Sequence, residues 1–198
     1  ILDKVDSIAP LRPQVAEDFD AYLNEEKALM GLSEPSEILF YLKIAAKSIV
    51  PDLQAMPSIQ FKYMDATVAD RTGTMAYYLK SPIDESNSAE YITLNPHYLQ
   101  NQPVNLLTTM AHEGYPGHLY AYVNAKESNA NLLTAVSDTL AFSEGWAVYA
   151  SIAVLENIAA NTDDEALSLF CQFNACNILA GYAEIALYDI EFNYLCYS

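Results

Sequence analysis

Basic residues are scarce in this chain. Nine Lys and Arg stand against 26 Asp and Glu, for a formal net charge of −17 over 198 residues. Phosphate recognition needs clustered Lys and Arg, so a nucleic-acid partner is excluded. The acidity reads as a solvated surface. No apolar run reaches the roughly 20 residues of a membrane span, and no segment is repetitive or of low complexity. The three cysteines are Cys171, Cys176 and Cys196. An odd count without a Cys-x-x-Cys spacing excludes both a disulfide framework and a cysteine zinc site. They read as small apolar packing residues. The chain opens "ILDKVDSIAP", without Met or a signal peptide, and closes "EFNYLCYS" inside an apolar helical pattern. Both ends read as cut from a longer protein.

What is present suffices for a core: 52% of residues are hydrophobic and 12% aromatic. The expected architecture is one domain, 1–198, mainly α with some β. It comprises N-terminal helices (1–55), a small, largely antiparallel sheet (56–100) and helices of a candidate metal site (101–198). Val15, Phe19, Tyr22, Leu23 and Met30 share a helical face that ends at Gly31. Pro35 opens a second helix that stops before Pro51. "SIQFKY" (58–63), "TMAYYL" (74–79) and "EYITLN" (90–95) are β-branched and aromatic, with turn-like stretches between them. Pro103 opens the next helix, and another covers about 132–160. Asn161 ends it, and Thr162 with Glu165 forms a capping box for a last helix. From Ala166 to Leu195 that helix is charged only at Glu184, Asp189 and Glu191. It reads as a central core helix or one whose cover is missing, and an exposed face of this kind would drive self-association.

Histidines are fewer still, and two of the three lie in "AHEGYPGH" (111–118). Between Tyr91 and Ala125 the only Asp, Glu, Lys or Arg is Glu113; between Thr139 and Leu155 it is Glu144. A lone carboxylate among apolar and aromatic residues needs a cation, donors or a metal. A helical zinc motif places its second histidine at i+4. Here that position is Pro116, and the histidine arrives at His118. Successive helical residues turn by about 100°, so His112 and His118 converge only if two residues loop out. Pro116 cannot donate to the His112 carbonyl, and Gly114 and Gly117 tolerate bulge dihedrals. One reading is a bulged metal motif with His112, His118 and Glu144 as ligands and Glu113 as a base. The other is a structural helix break, and spacing alone leaves both open. His97 reads as a loop residue and Asp138 as a solvated or outer-sphere carboxylate. A carboxylate-bridged di-metal bundle would need two Glu-x-x-His pairs, and none occurs.

"AHEGYPGHLY" followed by "FSEGWAVYA" resembles the bacterial family called domain of unknown function 885, whose pattern is His-Glu-x-x-Pro-Gly-His and then Glu-Gly-Trp-Ala. Members look like gluzincin-type zinc metallopeptidases. Both halves are here in order, and the likeness runs weakly from about Phe61 to the end. The resemblance implies a zincin-like fold, zinc on His112, His118 and Glu144, Glu113 as general base and a peptide substrate. It also implies an exported or cell-envelope location, with a cytoplasmic one left open. Two departures stand out. Leu119 replaces a second histidine common in the family, and the family's C-terminal region is absent. An oxyanion donor would come from that region, or from Tyr182, Tyr188 or Asn95 as candidate substrate contacts. The strand at 90–95 is expected to pair with an extended substrate. The rival class is a metal-binding or structural domain without turnover; metal content without amide hydrolysis would mark it.

Overall fold

Proline at a first helical turn loses nothing by lacking an N–H, and its fixed φ suits the helix. In the computed structural model, which describes residues 34–82, 89–97, 106–128 and 139–195, helix α1 accordingly runs Pro35–Ala45. A 3-10 turn, Ala46–Ser48, carries it to just short of Pro51. Its buried face is Ile38, Leu39 and Leu42, a helical repeat. The helix expected at 14–30, the Pro103 start and Asp138 lie outside the described residues.

The three strands fall where composition places them: β1 at Ile59–Tyr63, β2 at Ala76–Leu79 and β3 at Glu90–Leu94. Asp65 caps the short helix α2, Ala66–Ala69, which separates the first two. The expectation of a largely antiparallel sheet needs correction. The order is β1-β3-β2, with β2 antiparallel to β3 and β1 parallel to it. The cause is insertion: β3 returns from β2 and lies between the other two, so its direction matches that of β1. A second correction follows. Strand β3 is paired on both sides, and Ile92 and Leu94 are buried. Its backbone groups serve the sheet, so it has no edge for a substrate; the edge strand facing the helices is β2.

Four longer helices complete the described residues: α3 (Leu106–Glu113), α4 (His118–Glu127), α5 (Leu140–Asn161) and α6 (Glu165–Asp189), the last ending in a π-helical turn, Ile190–Tyr194. The protein is thus mainly helical with a small mixed sheet. Helix α3 packs against both α1 and β2. Tyr120 and Glu127 pin α4 to the segment after α1: the Tyr120 hydroxyl donates to the Pro51 carbonyl (2.8 Å), and the Glu127 carboxylate accepts from the Gln54 and Ala55 amides (2.7 and 2.8 Å).

Within the single expected domain, the described residues form two compact units that divide at Leu155, inside α5. In the second unit, Asp164 rather than Thr162 is the N-cap of α6, accepting from the Leu167 amide at 3.1 Å. The Thr162 hydroxyl instead accepts from the Asp164 amide (3.2 Å). Leu167, Phe170, Cys171 and Ala175 form the buried stripe of α6. Burial pushes the Cys171 thiol up to about 12, in keeping with a packing role. Beyond Tyr182 the helix exposes Ile185, Tyr188, Phe192 and Tyr194. One end of α6 is therefore core and the other exposed. None of the described helices is long and apolar enough to cross a membrane.

Candidate metal centre

Helix α3 buries Leu106, Leu107, Met110 and Ala111, which leaves His112 and Glu113 at its rim, half-buried. In place of the expected two looped-out residues, four residues, 114–117, leave the helix, and the Tyr120 amide bonds across them to the Gly114 carbonyl at 3.2 Å. The Gly114 and Tyr115 amides both converge on the Met110 carbonyl (2.9 and 3.2 Å), and α4 begins afresh at His118. The Tyr115–Pro116 peptide is cis.

Neither glycine has a positive φ. They permit close approach. A Cβ at Gly114 would sit 2.7 Å from the Met110 carbonyl oxygen and 2.8 Å from Leu39 Cδ1. One at Gly117 would run into the His112 carbonyl itself. The connector folds back over the last turn of α3, and this brings the second histidine beside the first. The two rings stand edge to face, with centroids 4.8 Å apart and an interplanar angle of 89°.

Trp146 secures that connector from α5, its indole N–H donating to the Pro116 carbonyl at 3.0 Å. The indole also stacks on Tyr120 at 6.3 Å, and Tyr120 meets the buried Tyr115 edge-on at 4.9 Å. The same helix carries Glu144 two residues earlier. Its Oε2 lies 3.4 Å from His112 Nε2 and its Oε1 3.4 Å from His118 Nε2. Glu144 is 44% exposed, against 24% for His112 and 14% for His118, so the site opens on the Glu144 side. Phe142 and Tyr149, aromatic neighbours of Glu144 in sequence, are exposed. The more enclosed lone carboxylate is Glu113.

His112 titrates below the usual imidazole range because it is buried and faces His118, with Glu144 opposing the shift. A neutral imidazole presents a lone pair as readily as an N–H, which suits a metal ligand. Burial pushes Glu113 up to about 7, against the hydrogen bond it accepts from the Tyr78 amide. That bond, 2.9 Å to Glu113 Oε2, comes from the edge strand β2. Ser143 Oγ lies 3.3 Å from His118 Nδ1, the ring nitrogen turned away from Glu144. A partner on the second nitrogen fixes tautomer and ring orientation.

Ligand atoms of His112, Glu113 and His118 also lie within 4.8 Å of one another, so both carboxylates face the histidine pair. Geometry separates them. Glu144 straddles the pair with one oxygen per imidazole, whereas Glu113 has an oxygen held by Tyr78. Two donors about 2.1 Å from one tetrahedral zinc ion stand about 3.4 Å apart. The two Glu144–histidine distances are of that size, and the His112–Glu113–His118 group is itself compact enough to hold an ion.

The other candidate residues are Asn95, Tyr182 and Tyr188. Asn95 is fully buried, and its amide serves the fold. Its Nδ2 donates to the Ala69 and Thr74 carbonyls (3.0 and 3.1 Å), and its Oδ1 accepts from the His97 amide (3.0 Å). This corrects its place as a substrate contact. Tyr182 and Tyr188 are exposed on α6, in the other compact unit. Sequence reasoning missed Ser143 and Tyr78 and gave Trp146 no role beyond the family pattern. Ser143 directly precedes Glu144, and adjacent helical residues about 100° apart can address one histidine ring each way. Tyr78 acts through its backbone, 35 positions from Glu113, and no local pattern marks that.

A histidine–carboxylate cluster that could hold a metal ion thus stands on helices beside a small mixed sheet. The chain belongs to the family described as bacterial protein of unknown function (DUF885), which matches over residues 38–165. Among solved structures, it resembles a protein of Colwellia psychrerythraea described as a candidate lipoprotein, with a TM-score of 0.60 and 18% identity over 91% of this chain. At that identity the likeness concerns the fold. The chain spans 33% of that protein's length. No curated protein matches it.

Proposed function

We propose that this domain is the metal-site portion of a zinc-dependent peptidase. The observation carrying the reading is the convergence of two imidazole nitrogens, each 3.4 Å from a different oxygen of Glu144, beside a second carboxylate raised to about 7. His112, His118 and Glu144 would hold the ion. Zinc would supply Lewis acidity, acidifying water and polarising a carbonyl. Glu113 is placed to take a proton from water and deliver it to the leaving amine; a base that titrates near the working pH is suited to both transfers. The Tyr78 amide keeps one oxygen of Glu113 directed toward β2, leaving the other for the reacting proton. Ser143 holds the His118 ring. Trp146 and Gly117 hold the connector that sets the distance between the histidines.

The test uses the protein purified, stripped of metal by a chelator and assayed on a mixed peptide library. The reading predicts no hydrolysis in the stripped protein and recovery of cleavage on adding about one equivalent of zinc. Zinc uptake with no cleavage of any peptide would establish the metal-binding domain without turnover instead.

A further inference from the structure

Glu90 is a buried carboxylate outside the metal centre, only 2% exposed at the start of β3. Its partners are neutral donors. The Tyr78 hydroxyl reaches Oε2 at 2.6 Å, the Ser81 hydroxyl reaches Oε1 at 2.7 Å, and the Ser81 amide adds a 3.4 Å contact. The knot extends outward: the Tyr122 hydroxyl donates to the Ser81 carbonyl (2.5 Å), and Lys126 donates to the Ser81 hydroxyl and the Pro82 carbonyl (3.2 and 3.3 Å). An apolar residue would fill such a place with less desolvation cost, so the carboxylate contributes direction rather than bulk.

The direction leads to the metal centre. Tyr78 is the penultimate residue of β2, opposite Ile92 of β3. Residues of an antiparallel pair alternate in facing the partner strand, and the Tyr78 amide faces away from β3, toward Glu113 Oε2 at 2.9 Å. One residue thus joins two carboxylates: its side chain binds Glu90 and its main chain binds Glu113. Strand ends fray unless tied down, and Leu79 is the last residue of β2. The Glu90 knot closes that end just where the strand hands its amide to Glu113.

We propose that Glu90 is a positioning residue for Glu113, acting through the Tyr78 side chain to hold the Tyr78 amide against the Glu113 carboxylate. The consequence for turnover rests on the peptidase reading; the consequence for the hydrogen bond does not. Tyr78→Phe removes only the hydroxyl link and keeps the ring. Glu90→Gln keeps the shape and an acceptor.

Two measurements test this. The first is amide hydrogen exchange by NMR on the metal-free chain. In Tyr78→Phe, protection of the amide at position 78 should fall about tenfold, the size expected for one lost hydrogen bond. The β2 amides that face β3 should keep theirs, and Glu90→Gln should stay within about threefold of the parent. Unchanged protection at position 78, or an equal fall throughout the sheet, overturns the proposal. The second is peptide hydrolysis by the zinc-loaded protein. Here kcat should fall by about tenfold or more in Tyr78→Phe, with KM and zinc content unchanged, because a misplaced base slows chemistry without weakening binding. A normal kcat also overturns it. If the unsubstituted protein cleaves nothing, the peptidase reading fails, and the exchange result still decides the positioning role.

Discussion

Glu113→Gln should leave zinc in place and lower peptide hydrolysis by about 10²–10⁴-fold, the usual contribution of a positioned general base. The amide keeps the carboxylate's shape, and its oxygen can still accept from the Tyr78 amide, so the hydrogen bond holding this side chain survives. What disappears is the proton acceptor. The metal-free variant should also fold well. Burial raises the Glu113 pKa in the folded protein to about 7. The group's contribution to stability is therefore full at acid pH and is lost as pH rises through that value. Gln carries no charge and avoids the loss. Zinc content, kcat and a urea melt on one preparation test all three statements. A variant that turns over near the parent rate would remove Glu113 from the role of base.

Of alanine substitutions at Gly114, Gly117, Gly145 and Gly181, Gly117→Ala should be the most damaging. The new carbon would meet the His112 carbonyl, which is backbone in the last turn of α3 and cannot rotate away. Overpacking typically costs about 1–3 kcal/mol, and a backbone clash lies at the upper end or beyond. The distortion falls on the connector that sets the spacing of the two imidazoles, so zinc affinity should fall with stability. Gly145→Ala is the matched control. It lies beside Glu144 on α5, and a Cβ there meets nothing within 4 Å. Alanine is the better helix former by about 1 kcal/mol, so that variant should be as stable as the parent or more so, with its zinc retained. Equal behaviour of the two variants in thermal melts and zinc titrations would contradict the close-approach account of Gly117.

The pair His112 and His118, with Glu113 and Glu144, was legible because each is chemically isolated in its stretch. Isolation of a charge in an apolar run is a local signal. An interruption between the two histidines was also legible, since Pro116 forbids an uninterrupted helix, whereas spacing left their convergence open. The form of the interruption was not: a two-residue bulge and a four-residue break use the same Gly and Pro residues, and the choice rests on how the connector packs over His112. Strand positions followed from β-branched and aromatic runs, but pairing did not. The insertion of β3 between β1 and β2 is a non-local choice that alternation within each strand does not encode. The capping residue was misplaced because Thr162 and Asp164 are both good caps, and a two-residue shift turns on which side chain faces the first free amides. The contacts that complete the centre are long-range and escape any reading of motifs: the Tyr78 amide on Glu113 and the Trp146 indole on the Pro116 carbonyl.

The central claim is that His112, His118 and Glu144 form one zinc site. Elemental analysis of the purified chain after equilibration with zinc and removal of the excess tests it most directly, with His118→Ala/Glu144→Ala prepared alongside. The account predicts about one zinc per chain in the parent and essentially none in the double variant, because His112 with Glu113 is too few donors to retain the ion. Full zinc occupancy in the double variant, or none in the folded parent, would contradict it.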